Sequence, residues 1–158
     1  MNVLAYRDLA DALKRAVRLY ADQHANSDGL ALPPVPGLRM MRRYAPGGPT
    51  RTMYRPLVCL VLQGAKLMTV GRYEQQLFEA GQSVIVGIDA PVIGQIVKAS
   101  RDEPYLAVAV ELDMTIMHSV ALEIGAIGTP SASETTLFVE TLDDTILSCA
   151  IRLMRLID

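Results

Sequence analysis

The sequence has few of the residues on which metal and disulfide chemistry depend. Its 158 residues include two histidines and two cysteines. His24 and His118 have no His, Cys, Asp or Glu partner at metal-ligand spacing. Cys59 lies in an apolar run and Cys149 in a predicted helix, without a Cys-x-x-Cys motif, so both are interpreted as reduced core residues. We therefore predict no metal, no cofactor and no disulfide.

An excess of positive charge is also missing. The chain has 15 Lys and Arg against 17 Asp and Glu, a net charge of -2, and so lacks the basic surface that nucleic-acid binding usually requires. No apolar run is long enough to cross a bilayer, and charged residues from Arg7 onward interrupt any signal peptide. We expect a cytoplasmic protein that makes no membrane contact.

Motifs of catalysis are absent as well. The sequence contains no Gly-x-Ser-x-Gly turn, and the carboxylates Glu103, Glu111 and Asp113 are interpreted as solvated charges near the last strand. The loop at Gly47 and Gly48 lacks the Lys and the following helix of a phosphate-binding loop. We therefore assign no catalytic residue.

Short apolar runs dominate the middle of the chain. Residues 57–64 are the most apolar run, and they predict a strand with both faces covered. Similar runs, separated by Gly, Pro and Asp, are residues 66–70, 75–78, 83–88, 92–97 and 105–112. With the alternating residues 38–44, which place Arg42 and Arg43 on opposite faces, they predict a closed barrel or a sandwich.

Three helices are predicted outside these strands. Residues 8–23 have the apolar spacing of an amphipathic helix, and a Pro-rich connector follows it. A second helix, capped by Asp113 or Thr115 and ended by Gly125, is expected to pack on the barrel. A capping box at residues 141–144 predicts the third helix. The segments are 1–35, helix and connector; 36–112, barrel; and 113–158, helical, all in one structural domain.

Three motifs resemble those of a known family. They are Gln63-Gly64-x-Lys66, Asp89-x-Pro91-Val92 and Pro104-Tyr105-Leu106. Their order and spacing resemble the N-terminal regulatory domain of AraC-type transcriptional regulators, over about residues 36–157.

The resemblance implies a mainly β fold with flanking α-helices. The expected architecture is a cupin-like, jelly-roll β-barrel with an N-terminal helix and C-terminal dimerisation helices. The implied function is transcription regulation, in which this domain senses a small-molecule effector and forms a homodimer. DNA contact is then expected only through a C-terminal helix-turn-helix domain that is missing from this chain.

Four polar residues are candidates to orient a ligand in a metal-free, mostly apolar lumen. Arg43, Gln63, Gln95 and Tyr105 each interrupt or end an otherwise apolar strand. Gln63 has an alternative role at the Gly64 turn, and Tyr105 as a core residue with its hydroxyl at the rim. Two residues in the motifs, Lys66 and Asp89, are interpreted as structural residues of turns.

The apolar stripe of the last helix is wide enough to contact more than one partner. The predicted dimer interface consists of Ile146, Ala150, Leu153, Met154 and Ile157. The alternative is that the stripe lies wholly on its own barrel or on the N-terminal helix. For the function as a whole, the alternative is a free-standing, metal-independent cupin enzyme of the isomerase type.

Overall fold

The computed structural model describes residues 3–72, 74–126 and 137–157 of the chain. Within these ranges the helices are α1 (Val3–His24), α2 (Met114–Glu123) and α3 (Asp144–Met154). The strands are β1 (Leu30–Ala31), β2 (Leu38–Arg43), β3 (Thr50–Tyr54), β4 (Leu57–Gln63), β5 (Ala65–Val70), β6 (Gln76–Glu79), β7 (Gln82–Val86), β8 (Ala90–Lys98), β9 (Tyr105–Glu111) and β10 (Leu137–Thr141). No helix in these ranges is both long and apolar enough to span a membrane.

The strands form two antiparallel sheets. One sheet has six strands in the order β1-β2-β9-β4-β7-β10, and the other has four in the order β3-β8-β5-β6. A buried cluster joins them, with Val61 and Val84 from the larger sheet against Met68, Phe78 and Val92 from the smaller one. The predicted barrel is therefore a sandwich of two sheets, whose inner faces share one core.

Strand β4 lies inside the larger sheet and has both faces covered, as its sequence predicts. Its residues alternate, because successive side chains of a strand point to opposite faces. Leu57 and Val61 face the other sheet. Leu60 and Leu62 face the helices in a second buried cluster, which we call the helix-facing core. The strand ends at Gly64, whose φ of 79° favours glycine, and an added Cβ there would lie 2.4 Å from the Lys98 carbonyl oxygen.

Helix α1 lies on the outer face of the larger sheet. Leu13, Val17 and Ala21 are fully buried in the helix-facing core, against Leu106 and Val108 of β9. Each such Leu or Val contributes about 1.5–3 kcal/mol by its burial. The large aliphatic residues of β9 therefore face a core, and this leaves the smaller residues of the strand for the interior of the sandwich.

Helix α3 packs beside α1. Leu147 and Met154 are buried in the helix-facing core, while Ile146, Ala150 and Leu153 are half-buried against it. The stripe that predicted a dimer interface is thus covered on one side by the chain's own N-terminal helix. One side of the stripe, including Met154, therefore belongs to the intramolecular core, and pairing through its remaining half-buried edge stays a prediction.

Helix α2 departs from its prediction. Asp113 caps it, as expected, by accepting hydrogen bonds from the backbone N–H groups of Thr115 and Ile116. However, none of its residues is buried, and the apolar side chains of Ile116 and Val120 are 61% and 44% exposed. The expectation that α2 packs on the barrel is therefore wrong.

Other local predictions also need correction. The cap of α3 is Asp143 and not Thr141, because the Asp143 carboxylate accepts a hydrogen bond from the Ile146 N–H. Strand β10 lies within the segment predicted to be helical and pairs with β7. Both cysteines are free, but Cys149 is exposed on α3 and not in the core.

Candidate functional site

A cavity of about 220 Å³ lies between the two sheets. Its wall combines apolar, aromatic and basic side chains. The lining residues are Leu30, Arg39, Met40, Met41, Thr50, Arg51, Thr52, Tyr54, Leu57, Cys59, Lys66, Tyr105, Ala107 and Ala109. We call this space the inner cavity.

Strand alternation explains why the inner cavity exists. On β9, Leu106 and Val108 face α1, so Ala107 and Ala109 face the interior. Their methyl groups fill little volume in the middle of the sheet. On β2, Met40 contributes to the helix-facing core, while Arg39 and its neighbours at alternate positions face inward. The small residues of β9 thereby leave the inner cavity open.

A second cavity, of about 260 Å³, adjoins the first. It shares Met41, Thr50 and Lys66 with the inner cavity. Its other lining residues are Asp28, Arg43, Gly47, Gly48, Gly94 and Ile96. We call this space the outer cavity.

Lys66 lies where the two cavities meet. Its Nζ donates a hydrogen bond to the Tyr54 hydroxyl at 3.1 Å, and it lies 5.7 Å from the centroid of the Tyr54 ring. Gly94 on the neighbouring strand leaves room for the side chain, because a Cβ there would lie 2.6 Å from Lys66 Cε. The only hydrogen-bond partner of this amine among the described residues is therefore a neutral phenol.

Two titratable groups in the inner cavity are held neutral. Burial raises the pKa of the Cys59 thiol, and the positive charge of Lys66 offsets part of that rise. Burial also raises the pKa of the Tyr105 phenol well above its usual value, with smaller contributions from Cys59 and Tyr54. Both groups therefore act at neutral pH as uncharged parts of the wall.

The structure brings two of the four predicted ligand residues to the cavities. Tyr105 lines the inner cavity and is 1% exposed. Arg43 lines the outer cavity, where its Nη1 donates a hydrogen bond to the Asp28 carbonyl oxygen at 3.1 Å. Gln63 lies elsewhere, and its Nε2 donates to the Pro104 carbonyl oxygen at 2.8 Å. Gln95 lies between two residues of β8 that face the outer cavity, so its own side chain faces away.

Lys66 lines both cavities, although the sequence predicts only a structural role for this residue at a turn. The structure instead places Lys66 inside β5, on the same face as the buried Met68 and Val70. A lysine that shares a face with two core residues is the signal that could have revealed it. Asp89 is exposed directly before β8, and its structural role at that turn remains a prediction.

Metal-ligating side chains do not gather anywhere in the described ranges. No group of three or more His, Cys, Asp or Glu residues there lies close enough to hold an ion. Glu111 of β9 forms an ion pair with Arg39 on the adjacent β2.

Two antiparallel sheets with flanking helices and an interior cavity define a cupin-like fold. Solved structures are similar to this chain at low sequence identity. One is the unsaturated fatty acid-bound, wild-type ToxT from Vibrio cholerae strain SCE256, with a TM-score of 0.51, 7% identity, and coverage of 77% of this chain and 46% of ToxT. Another is the Drosophila melanogaster CENP-C cupin domain, with a TM-score of 0.41, 15% identity, and coverage of 56% of this chain and 73% of that domain.

The family follows from the sequence itself. Residues 34–158 match the family described as the AraC-type transcriptional regulator N-terminus. The chain therefore belongs to this family, as its three motifs predict. No curated protein matches it significantly. The chain spans less than half the length of ToxT, and helix α1 lies before the matched residues.

Proposed function

We propose that this domain senses a small-molecule effector, which binds in the inner cavity, for an AraC-type transcription regulator. The observation that carries the proposal is the lined space between the sheets, with a volume of about 220 Å³ and both apolar and basic side chains in its wall. Ligand sites are typically concave and mostly apolar, with a few polar groups that orient the ligand. ToxT, which has a similar fold, is bound to an unsaturated fatty acid, and this supports a ligand role for the fold.

The inner cavity favours binding over catalysis. Acid–base catalysis needs a group that titrates near the working pH. Burial raises the pKa values of Cys59 and Tyr105, so neither is ionised near neutrality. No histidine or carboxylate is among the residues described as lining this cavity. We infer that the domain is a sensor and not an isomerase.

A large side chain placed in the inner cavity tests the sensor function. Ala109→Phe places an aromatic ring in the inner cavity, whereas Ala126→Phe adds the same ring at an exposed site after α2. We expect a ligand found by nuclear magnetic resonance screening of the wild type to bind Ala109→Phe at least about tenfold more weakly, because its space is occupied. Ala126→Phe should bind it normally. Equal binding by all three proteins would place the ligand elsewhere and refute the proposal.

Two further parts of the proposal concern the full regulator. We infer that DNA contact is made by a helix-turn-helix domain outside residues 1–158, which is supported by the net charge of -2. We also infer that two copies of the domain pair through the edge of α3. The edge available for pairing is formed by the half-buried Ile146, Ala150, Leu153 and Ile157, since Met154 is buried.

A further inference from the structure

We propose that the effector is a compact carboxylic acid whose carboxylate binds Lys66 Nζ and whose apolar body occupies the inner cavity. The proposal rests on the function proposed above and names the chemical class of the ligand. It follows from an imbalance of charge in the cavity wall and from the size of the space.

The inner cavity has basic residues without a matching number of acids. Arg39, Arg51 and Lys66 line it, and no acidic residue belongs to its described lining. Arg39 is already paired with Glu111. Lys66 is half-buried, and in the described chain it forms no salt bridge. The wall therefore has an excess of positive charge at the junction of the two cavities.

Such a charge is costly in a partly dehydrated, apolar space. Taking an ammonium group out of water destabilises the fold unless a partner offsets the loss of hydration. The Tyr54 hydroxyl satisfies one of the three donors of Lys66 but carries no charge. A ligand carboxylate would accept from the remaining donors and neutralise the ammonium, and such charge-assisted hydrogen bonds are among the stronger ones in proteins.

The rest of the inner cavity selects the body of the ligand. Leu57, Ala107 and Ala109 give it an apolar wall, and Cys59 is a neutral thiol there. A volume of about 220 Å³ corresponds to roughly seven water molecules at about 30 Å³ each. This space fits an acid of benzoate or octanoate size, with roughly ten non-hydrogen atoms.

Matched acids and amides test the charge requirement. Benzoate and octanoate are titrated into the protein and compared with benzamide and octanamide, with chemical shift changes of cavity residues as the readout. We expect at least one acid to bind at least about tenfold more tightly than its amide, since only the acid neutralises Lys66. Lys66→Met should remove this preference, and Lys66→Arg should restore it. Lys98→Met, which removes an exposed lysine at the end of β8, should behave as the wild type.

Several outcomes would overturn the proposal. They are amides that bind as tightly as acids, an acid preference that survives in Lys66→Met, and no shift with any of the four probes. Failure here is distinguishable from failure of the sensor function. If the protein binds a ligand that is not a carboxylic acid, and Ala109→Phe weakens that binding, the sensor function stands. Only the proposal of a carboxylic acid effector is then refuted. Circular dichroism of Lys66→Met and Lys66→Arg establishes that both variants fold.

Discussion

Asp22 attaches the end of helix α1 to the larger sheet through one carboxylate oxygen. Arg42 Nη1 donates to Asp22 Oδ1 at 2.6 Å, and the Tyr44 hydroxyl donates to the same oxygen at 2.7 Å. The Arg42 guanidinium also lies over the Tyr44 ring, 4.5 Å from its centroid. Arg42 points away from the cavity, on the face opposite Arg43, as the strand alternation predicts. The three side chains therefore fix α1 on β2.

The pKa of Asp22 gives this attachment a defined dependence on pH. Burial alone would raise this pKa, but the hydrogen bonds from Tyr44 and Arg42 and the charge of Arg42 outweigh it, so the pKa falls below 3.8. A lowered carboxyl pKa stabilises the fold fully above the unfolded value and loses that effect as the pH falls through the folded value. We expect Asp22→Asn to lower the free energy of unfolding by about 1 kcal/mol. The effect is small because solvent screens the partly exposed ion pair between Asp22 and Arg42.

The measurement is urea unfolding of the wild type and Asp22→Asn at a series of pH values. The difference in the free energy of unfolding should be constant above about pH 5 and shrink below pH 3.8. Asp11→Asn is the control, because Asp11 forms only an exposed ion pair with Lys14, and this variant should unfold as the wild type does. A pH-independent difference for Asp22→Asn would show that its carboxylate charge does not hold α1.

At the scale of single residues, the sequence identified only some of the side chains that line the two cavities. Tyr105 and Arg43 were predicted and line the two cavities, but Gln63 and Gln95 point elsewhere. The difference is a matter of register, because a shift of one residue moves a side chain to the other face. Lys66 shows the same limit, since its position inside β5 depends on which face of that strand meets the other sheet.

At the scale of elements, the prediction succeeded where apolar runs end at Gly or Pro. Strands β4 to β9 all fall on runs identified in the sequence. β3 was not predicted, because Thr50–Tyr54 is polar and mostly exposed and lacks the apolar face that indicates a strand. β10 was missed because only Leu137 of its five residues is buried, so it has no alternating apolar face. A strand without such alternation leaves a weak local pattern.

The two C-terminal helices differ in what they contribute to stability. Leu147 of α3 is fully buried, whereas Leu122 of α2 is 49% exposed. We expect Leu147→Ala to lower the free energy of unfolding by about 2–5 kcal/mol, because it leaves a cavity in the helix-facing core. Leu122→Ala should cost less than about 0.5 kcal/mol, since little apolar area is lost. Urea unfolding measures both, and equal losses would contradict the exposed position of α2.

At the scale of the whole molecule, helix α1 limits the apolar surface of α3 that a second copy of the chain could contact. The stripe of α3 packs beside α1, so one side of it already lies in the helix-facing core. α1 precedes the residues that match the family. Any pairing through α3 must therefore use the half-buried edge that α1 leaves uncovered, which is smaller than the stripe read from the sequence.

A charged substitution on this edge tests the pairing. We expect the 17.2 kDa chain to scatter light as a dimer at tens of micromolar, and Leu153→Glu to scatter as a folded monomer. The buried side of Leu153 should also make this variant less stable, by about 1–3 kcal/mol, since a carboxylate replaces apolar contact with the helix-facing core. Leu156→Glu is the matched control, because Leu156 is 70% exposed, and it should keep the dimer and the stability of the wild type. A monomeric wild type, or a Leu153→Glu variant that remains dimeric, would remove α3 from the dimer contact and leave its stripe to the intramolecular packing against α1.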